Sequence, residues 1–299
     1  MPLSEATVAG LEAAGLSPSS MADLVKRALD EDLAYGPDAT TAATVPTDQR
    51  VRAAFASRQP GIVAGLGLVA VTLDVVVGAD RWSVVSAATD GQRVERSDVV
   101  LALEAPTAGL LTAERTALNF LGHVSGVATL TSKWVDAVSG TKVMVRDTRK
   151  TIPGLRVLDK YAVRCGGGVN HRMGLGDAAL IKDNHVVAAG GIAQAVAAVR
   201  SMFPDLPLEV ECDSLEQVKA AVDADVSLVL LDNMSVDQLR EAVQWVRSTS
   251  KSVQLEASGG LSLGSVRPVA ETGVDFVAVG ALTHSAPVLD LGLDVLAVV

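Results

Sequence analysis

The 299-residue sequence predicts an α/β fold, an irregular, open β/α barrel preceded by a mixed α/β domain. Three observations predict it. Six short apolar runs alternate with helical stretches through the second half of the chain, and such alternation implies parallel strands joined by right-handed crossovers. Each run ends in, or leads into, a polar residue or glycine: Arg149 and Lys150, Lys182, Glu211, Asp232, Ser258, Gly280. That is the pattern of a barrel whose C-terminal rim forms a site. A doubly wound open sheet shares the alternation, but its ligand sits at one switch point and needs no polar residues from so many strands around one centre. Finally, 49% of residues are apolar and only 3% aromatic, as expected for α/β packing through small side chains.

Residues 21–34 (MADLVKRALDEDLA) carry apolar side chains at helical spacing. Residues 51–57 alternate as in a strand, and 82–105 read as short strands around a turn at Asp90 and Gly91. The segment DGQRVERSDVVLALEA is similar to half of a lipoyl- or biotinyl-type module. No lysine occupies a hairpin tip there, so it reads as structural. The pattern changes near residue 112, and 112–139 reads as a long helix. Strands are predicted at 143–146, 179–182, 208–212, 227–232, 253–258 and 276–280, and helices at 187–203, 214–224, 235–249 and 265–272. The plan is then a mixed α/β domain over 1–112, a barrel over 113–285 and a tail over 286–299 that packs back on the first domain. Gly166 to Gly168 do not follow a strand directly and read as a helix stop, not as a phosphate loop.

Residues 146–185 hold eight basic residues and four acids, net +4 in a chain of net −10, so the remainder carries −14. A cationic island in a protein of pI about 4.9 points to a compact anionic ligand and excludes a nucleic-acid binder with a broad basic face. A plain solvated helix would not need the glycines and His171 that interrupt these charges. Cys165 and Cys212 form no CxxC pair, which argues against a disulfide framework or a zinc site and for a reducing cytoplasm. The first residues lack a basic region followed by an apolar run, so no signal peptide is read. The apolar run from Gly61 to Gly78 is glycine-broken and too short for a membrane span.

The segment DTRKT-PGLR, then KYAV, then GGG-NHR and LIKDNH, closely resembles in residues and order the signature of the quinolinate phosphoribosyltransferase family. EDLAYGPDATT near the start and ERTALNFL at 114–121 are also similar to that family, so the resemblance covers nearly the full length. It implies a mixed α/β domain beside an irregular open barrel. It also implies that Arg115, on a helix outside the barrel strands, enters the active site of the other subunit of a homodimer.

Two glycine-containing strand ends, EASGGL and AVGALTH, come last. Loops after the final barrel strands commonly cradle phosphate with backbone N–H groups, and glycine permits close approach. Ser258, Gly259, Gly260, Gly280 and Ala281 are thereby assigned to a ribose 5-phosphate. Glu211 and Asp232 stand at the ends of neighbouring strands, where carboxylates need partners. Metal ligation and hydrogen bonds to sugar hydroxyls are both open, as are salt bridges to nearby cations. Hard oxygen ligands suit Mg²⁺. The resemblance implies that both contact the ribose of phosphoribosyl pyrophosphate and its Mg²⁺, directly or through substrate and water. Arg149, Lys150, Arg172 and Lys182 then face the anions: arginine forks match carboxylates and lysines supply point charges for pyrophosphate. His171 adds a donor, Thr148 joins the substrate-binding set, and His185 is ambiguous.

The expected reaction joins quinolinate to phosphoribosyl pyrophosphate, giving nicotinate mononucleotide, pyrophosphate and CO₂. Glu211 and Asp232 stabilise positive charge on the ribosyl ring, and Lys150, Lys182 and Mg²⁺ stabilise the leaving group. Two other classes compete: a Schiff-base aldolase using Lys182, and a non-catalytic phosphometabolite- or oxyanion-binding protein. The dense arginines argue against the aldolase, which needs one anion site, not two.

Overall fold

The computed structural model describes residues 2–249 and 252–299. The chain forms two compact units, Met1–Leu130 with Val157–Gly166 and Ala286–Val299, and Thr131–Arg156 with Gly167–Ser285. The division falls inside the helix Thr107–Ala137, not at residue 112. The pattern change near 112 marks the start of a helix and not the end of a domain.

In the first unit four antiparallel strands lie in the order Leu291–Val298, Arg50–Ser57, Val99–Pro106, Ser83–Ala87. Ala53 to Ser57 are all buried, as befits a central strand covered on both faces. The core holds Phe55, Leu73, Leu103, Leu110 and Leu121. The 31-residue helix carries glycines where chain 287–289 crosses it. A Cβ at Gly126 would stand 2.2 Å from the Pro287 carbonyl oxygen, and Leu289 N donates to Gly122 O at 2.9 Å. The last residues can therefore reach the sheet edge and pair with Arg50–Ser57. The turn at Asp90 and Gly91 has a second use, because the Asp90 carboxylate accepts from the backbone of Gly65 (2.8 Å) and Leu66 (3.2 Å). This satisfies orphan donors at the start of the helix Leu66–Val76. No described helix is long and apolar enough to cross a membrane.

In the second unit six parallel strands lie in the order Met144–Arg146, Phe276–Ala278, Gln254–Ser258, Leu228–Asp232, Leu208–Cys212, Ala179–Ile181. This is the irregular barrel that the alternation predicts. Beyond the edge strand Met144–Arg146 an isolated parallel bridge joins Arg146 to Val169. The predicted helix over 187–203 is two helices, Asp183–Ala189 and Ile192–Met202. Gly190 and Gly191, at φ 82° and 144°, separate them, because such angles suit residues without Cβ. The helix Arg156–Cys165 stops at the glycine run as expected, with Gly167 at φ 87°.

Candidate active site

Parallel strands direct their C-terminal ends to one rim, where a cavity of about 570 Å³ opens. Eleven of the predicted residues line it together: Thr148, Arg149, Lys150, His171, Arg172, Lys182, Glu211, Asp232, Ser258, Gly259 and Gly260. A smaller cavity of about 190 Å³ shares Thr148, Lys150, Ser258, Gly259 and Gly260 and adds Gly280, Ala281 and His284. Arg115, on the helix Thr107–Ala137, lines neither cavity. His185 also lines neither; its Nδ1 accepts from Lys182 N at 3.0 Å, which caps the helix Asp183–Ala189.

Arg149, Lys150, Arg172 and Lys182 make up the cationic part of the lining. The Nε atoms of Arg149 and Arg172 are buried and have no hydrogen-bond partner. One Arg172 terminal nitrogen donates to the Ala178 carbonyl at 2.8 Å. Burial, and then the charge of Arg149, pull the Arg172 pKa below the usual guanidinium value. Two guanidinium groups in the lining of one cavity form a receptor for anions. Lys182 forms an ion pair with Glu211. A paired ammonium is a poor Schiff-base nucleophile, which removes the support for the aldolase reading. Cys212 offers no alternative nucleophile: burial, with Asp213 and Glu211 adding to it, pushes its thiol up to about 12.

Glycines make up another part of the lining. Gly259 has φ 94°, and a Cβ there would lie 2.2 Å from Asn233 Oδ1. A Cβ on Gly280 would meet Lys150 Cδ at 3.1 Å. Thr148 Oγ1 accepts from Lys150 N at 3.0 Å, and Thr283 Oγ1 donates to Lys150 O at 2.8 Å, so the lysine's backbone is fixed from two sides.

Asn233, His284 and Glu256 also line these cavities, beyond the residues that the sequence predicts. Asn233 follows Asp232 and sits at φ 55°, a conformation that asparagine tolerates better than most residues. His284 ends the AVGALTH segment already read as a phosphate loop. Glu256 belongs to a buried group beneath the rim, with His171 Nε2 2.9 Å from Glu209 Oε2 and 3.5 Å from Glu256 Oε1, and Arg146 2.5 Å from Glu256 Oε2. Burial, and next the Glu209 charge, push the Glu256 carboxyl up to about 7 against the opposing pull of Arg146 and His171. The sequence signal for Glu209 is its place two residues before Glu211 in an apolar strand, on the same face of the strand, and Glu256 stands likewise two residues before Ser258.

His171, Glu209 and Glu256 bring candidate metal-ligand atoms within 4.8 Å of one another. The hydrogen bonds argue against a metal there. His171 Nδ1 accepts from Arg172 N at 2.7 Å, so the ring proton sits on Nε2, the atom that would have to ligate. Both ring nitrogens thus have partners within the protein, and His171 also lines the cavity.

The quinolinate phosphoribosyl transferase N-terminal domain model matches residues 38–125, and the C-terminal domain model of that family matches 127–294. Nicotinate-nucleotide pyrophosphorylase [carboxylating] of Mycobacterium leprae is 54% identical over 272 residues, 91% of this chain and 96% of that protein. A probable nicotinate-nucleotide pyrophosphorylase [carboxylating] of Synechocystis is 39% identical, covering 89% of this chain and 90% of its own length. The structure of the nicotinate-nucleotide pyrophosphorylase from Francisella tularensis superposes with a TM-score of 0.89 at 38% identity, over 94% of this chain and 98% of that one.

Proposed function

The chain belongs to the quinolinate phosphoribosyltransferase family, and from that premise we propose how its cavity performs the reaction. The enzyme transfers the phosphoribosyl group of phosphoribosyl pyrophosphate to quinolinate with loss of CO₂, in NAD biosynthesis. The observation that carries the site assignment is that Arg149 and Arg172 stand together in the lining of one cavity. They take the two carboxylates of quinolinate. Ser258, Gly259, Gly260, Gly280, Ala281 and His284 cradle the 5-phosphate. The ring nitrogen's electron pair forms the bond to the anomeric carbon as the bond to pyrophosphate breaks. Glu211 and Asp232 stabilise the positive charge that develops on the ribosyl ring, and Lys150 and Lys182 stabilise the leaving pyrophosphate. The C2–carboxylate bond then breaks, its electrons are stabilised by the cationic ring nitrogen, and C2 takes up a proton. Orientation and fixed charges perform the catalysis, with no protein nucleophile.

Glu211 and Asp232 supply hard oxygen donors at the rim, which fit Mg²⁺ sharing its shell with substrate phosphates and water. Bound there, Mg²⁺ supplies charge neutralisation to the leaving pyrophosphate. Arg115 completes the quinolinate clamp from the other subunit of a homodimer. The cytoplasm suits the two cysteines, both free.

The test is turnover of phosphoribosyl pyrophosphate with quinolinate and, in parallel, with nicotinate, following CO₂ release. Quinolinate is used and nicotinate is not, because a site built for a charged group leaves its cations unpaired when that group is missing. Comparable kcat/KM for the two acids would overturn the assignment.

A further inference from the structure

Glu209 does not line the cavity, yet it is buried at 3% exposure one layer below the rim. Residues i and i+2 of a strand share a face, so Glu209 stands below Glu211 on the strand Leu208–Cys212. Glu211 reaches the substrate cavity, while Glu209 reaches His171. From His171 the contacts lead to the anion clamp. His171 N donates to Asp147 Oδ1 at 2.9 Å, Nε2–H faces Glu209 Oε2 at 2.9 Å, and Nδ1 accepts from Arg172 N at 2.7 Å. The imidazole is thus a rigid bracket between a buried carboxylate and the backbone of Arg172. A buried carboxylate this close to the rim opposes anion binding by its charge, so burial alone gives no reason for it here. Its value lies in orientation.

Resting on the proposed reaction, we infer that Glu209 is a positioning residue for the quinolinate clamp. It fixes the His171 ring, and through it the Arg172 backbone, without touching substrate. Loss of this contact leaves Nε2 with the longer contact to Glu256 alone, so the ring loosens and Arg172 can leave the geometry that grips a carboxylate. The phosphoribosyl half of the site is built on the strands ending at Asp232, Ser258 and Ala278, and the middle one meets the bracket through Glu256, whose Oε1 lies 3.5 Å from His171 Nε2.

The experiment compares Glu209→Ala and Glu209→Gln with the wild type in KM for each substrate, thermal melting, and ¹⁵N-histidine NMR of the ring tautomers of the four histidines. Glu209→Ala raises KM for quinolinate about tenfold or more and leaves KM for phosphoribosyl pyrophosphate within about twofold. Glu209→Gln, whose carbonyl can accept from Nε2–H, restores most of the loss. The wild-type His171 ring shows the Nε2-protonated tautomer, and the Gln variant keeps it. An unchanged quinolinate KM in Glu209→Ala, an equal rise in both KM values, or a Gln variant as damaged as Ala overturns the inference. If Glu209→Ala does not fold, an Nδ1-protonated His171 ring in the wild type overturns it equally. Failure of wild-type enzyme to use quinolinate defeats the reaction assignment instead, and the tautomer still decides the Glu209–His171 contact.

Discussion

Asn233 Nδ2 donates to Asp232 Oδ2 at 2.6 Å from a backbone held at φ 55°. One carboxylate oxygen is thereby occupied and the carboxylate plane set, leaving the other oxygen for the charge that develops on the ribosyl ring. Asp232→Ala and Glu211→Ala are expected to lower kcat on the order of 10²–10³-fold, as for other preorganised charges aimed at a transition state, and to alter the Mg²⁺ dependence. Steady-state kinetics across a Mg²⁺ series, with melting curves alongside, checks this. A variant that melts several degrees lower but turns over normally would show a merely structural salt bridge.

The same asparagine blocks any side chain at 259. Gly259→Ala adds a Cβ 2.2 Å from Asn233 Oδ1 and 2.9 Å from Asn233 N, at φ 94°. The expected cost is about 1–3 kcal/mol of backbone strain, together with weaker phosphoribosyl pyrophosphate binding and little change for quinolinate. Denaturant unfolding and titration calorimetry measure the two parts.

Arg149→Ala and Arg172→Ala are expected to impair quinolinate binding chiefly, by about 2–5 kcal/mol if the substrate carboxylate is left desolvated and unpaired. Calorimetry with each ligand separately decides. Equal losses for both ligands would show that the division of the cavity is wrong.

Glu256 gives a pH signature. Burial first, and Glu209 next, raise its folded pKa to about 7 from the ordinary 4.5. The native state therefore holds a proton that the unfolded chain gives up earlier. This contribution is fully present below the unfolded pKa and is lost as pH rises toward 7, on the order of 1–3 kcal/mol. In Glu256→Gln that part of the slope between about pH 4.5 and 7 should vanish. Urea unfolding at several pH values checks it, and an unchanged slope would assign the dependence to other groups.

Under the proposed shared site, Arg115→Ala and Lys150→Ala are each nearly inactive alone but complement when refolded together. A mixed dimer has one site with both residues intact and one lacking both. Random association makes half the dimers mixed, so activity returns to roughly a quarter of wild type. No recovery in verified mixed dimers would place Arg115 in its own subunit's site.

Strand–helix alternation with a polar residue at each strand end determined the barrel and its rim, because period and chain order are local properties. The segment from Asp147 to His185 likewise announced an anion site by its residue types. Three things depended on tertiary structure. The division at Leu130 depends on long-range packing, since the helix Thr107–Ala137 runs through it without a break in pattern. The use of Glu209 and Glu256 was hidden because a glutamate in an apolar strand reads the same whether it faces substrate or a buried histidine. The partners of His171 were hidden for the same reason. Its residue type allows a donor or an acceptor, and only the structure sets Arg172 N and Glu209 against its two ring nitrogens. Residue type sets which hydrogen bonds a side chain can make, and only its neighbours in space decide which ones it does make.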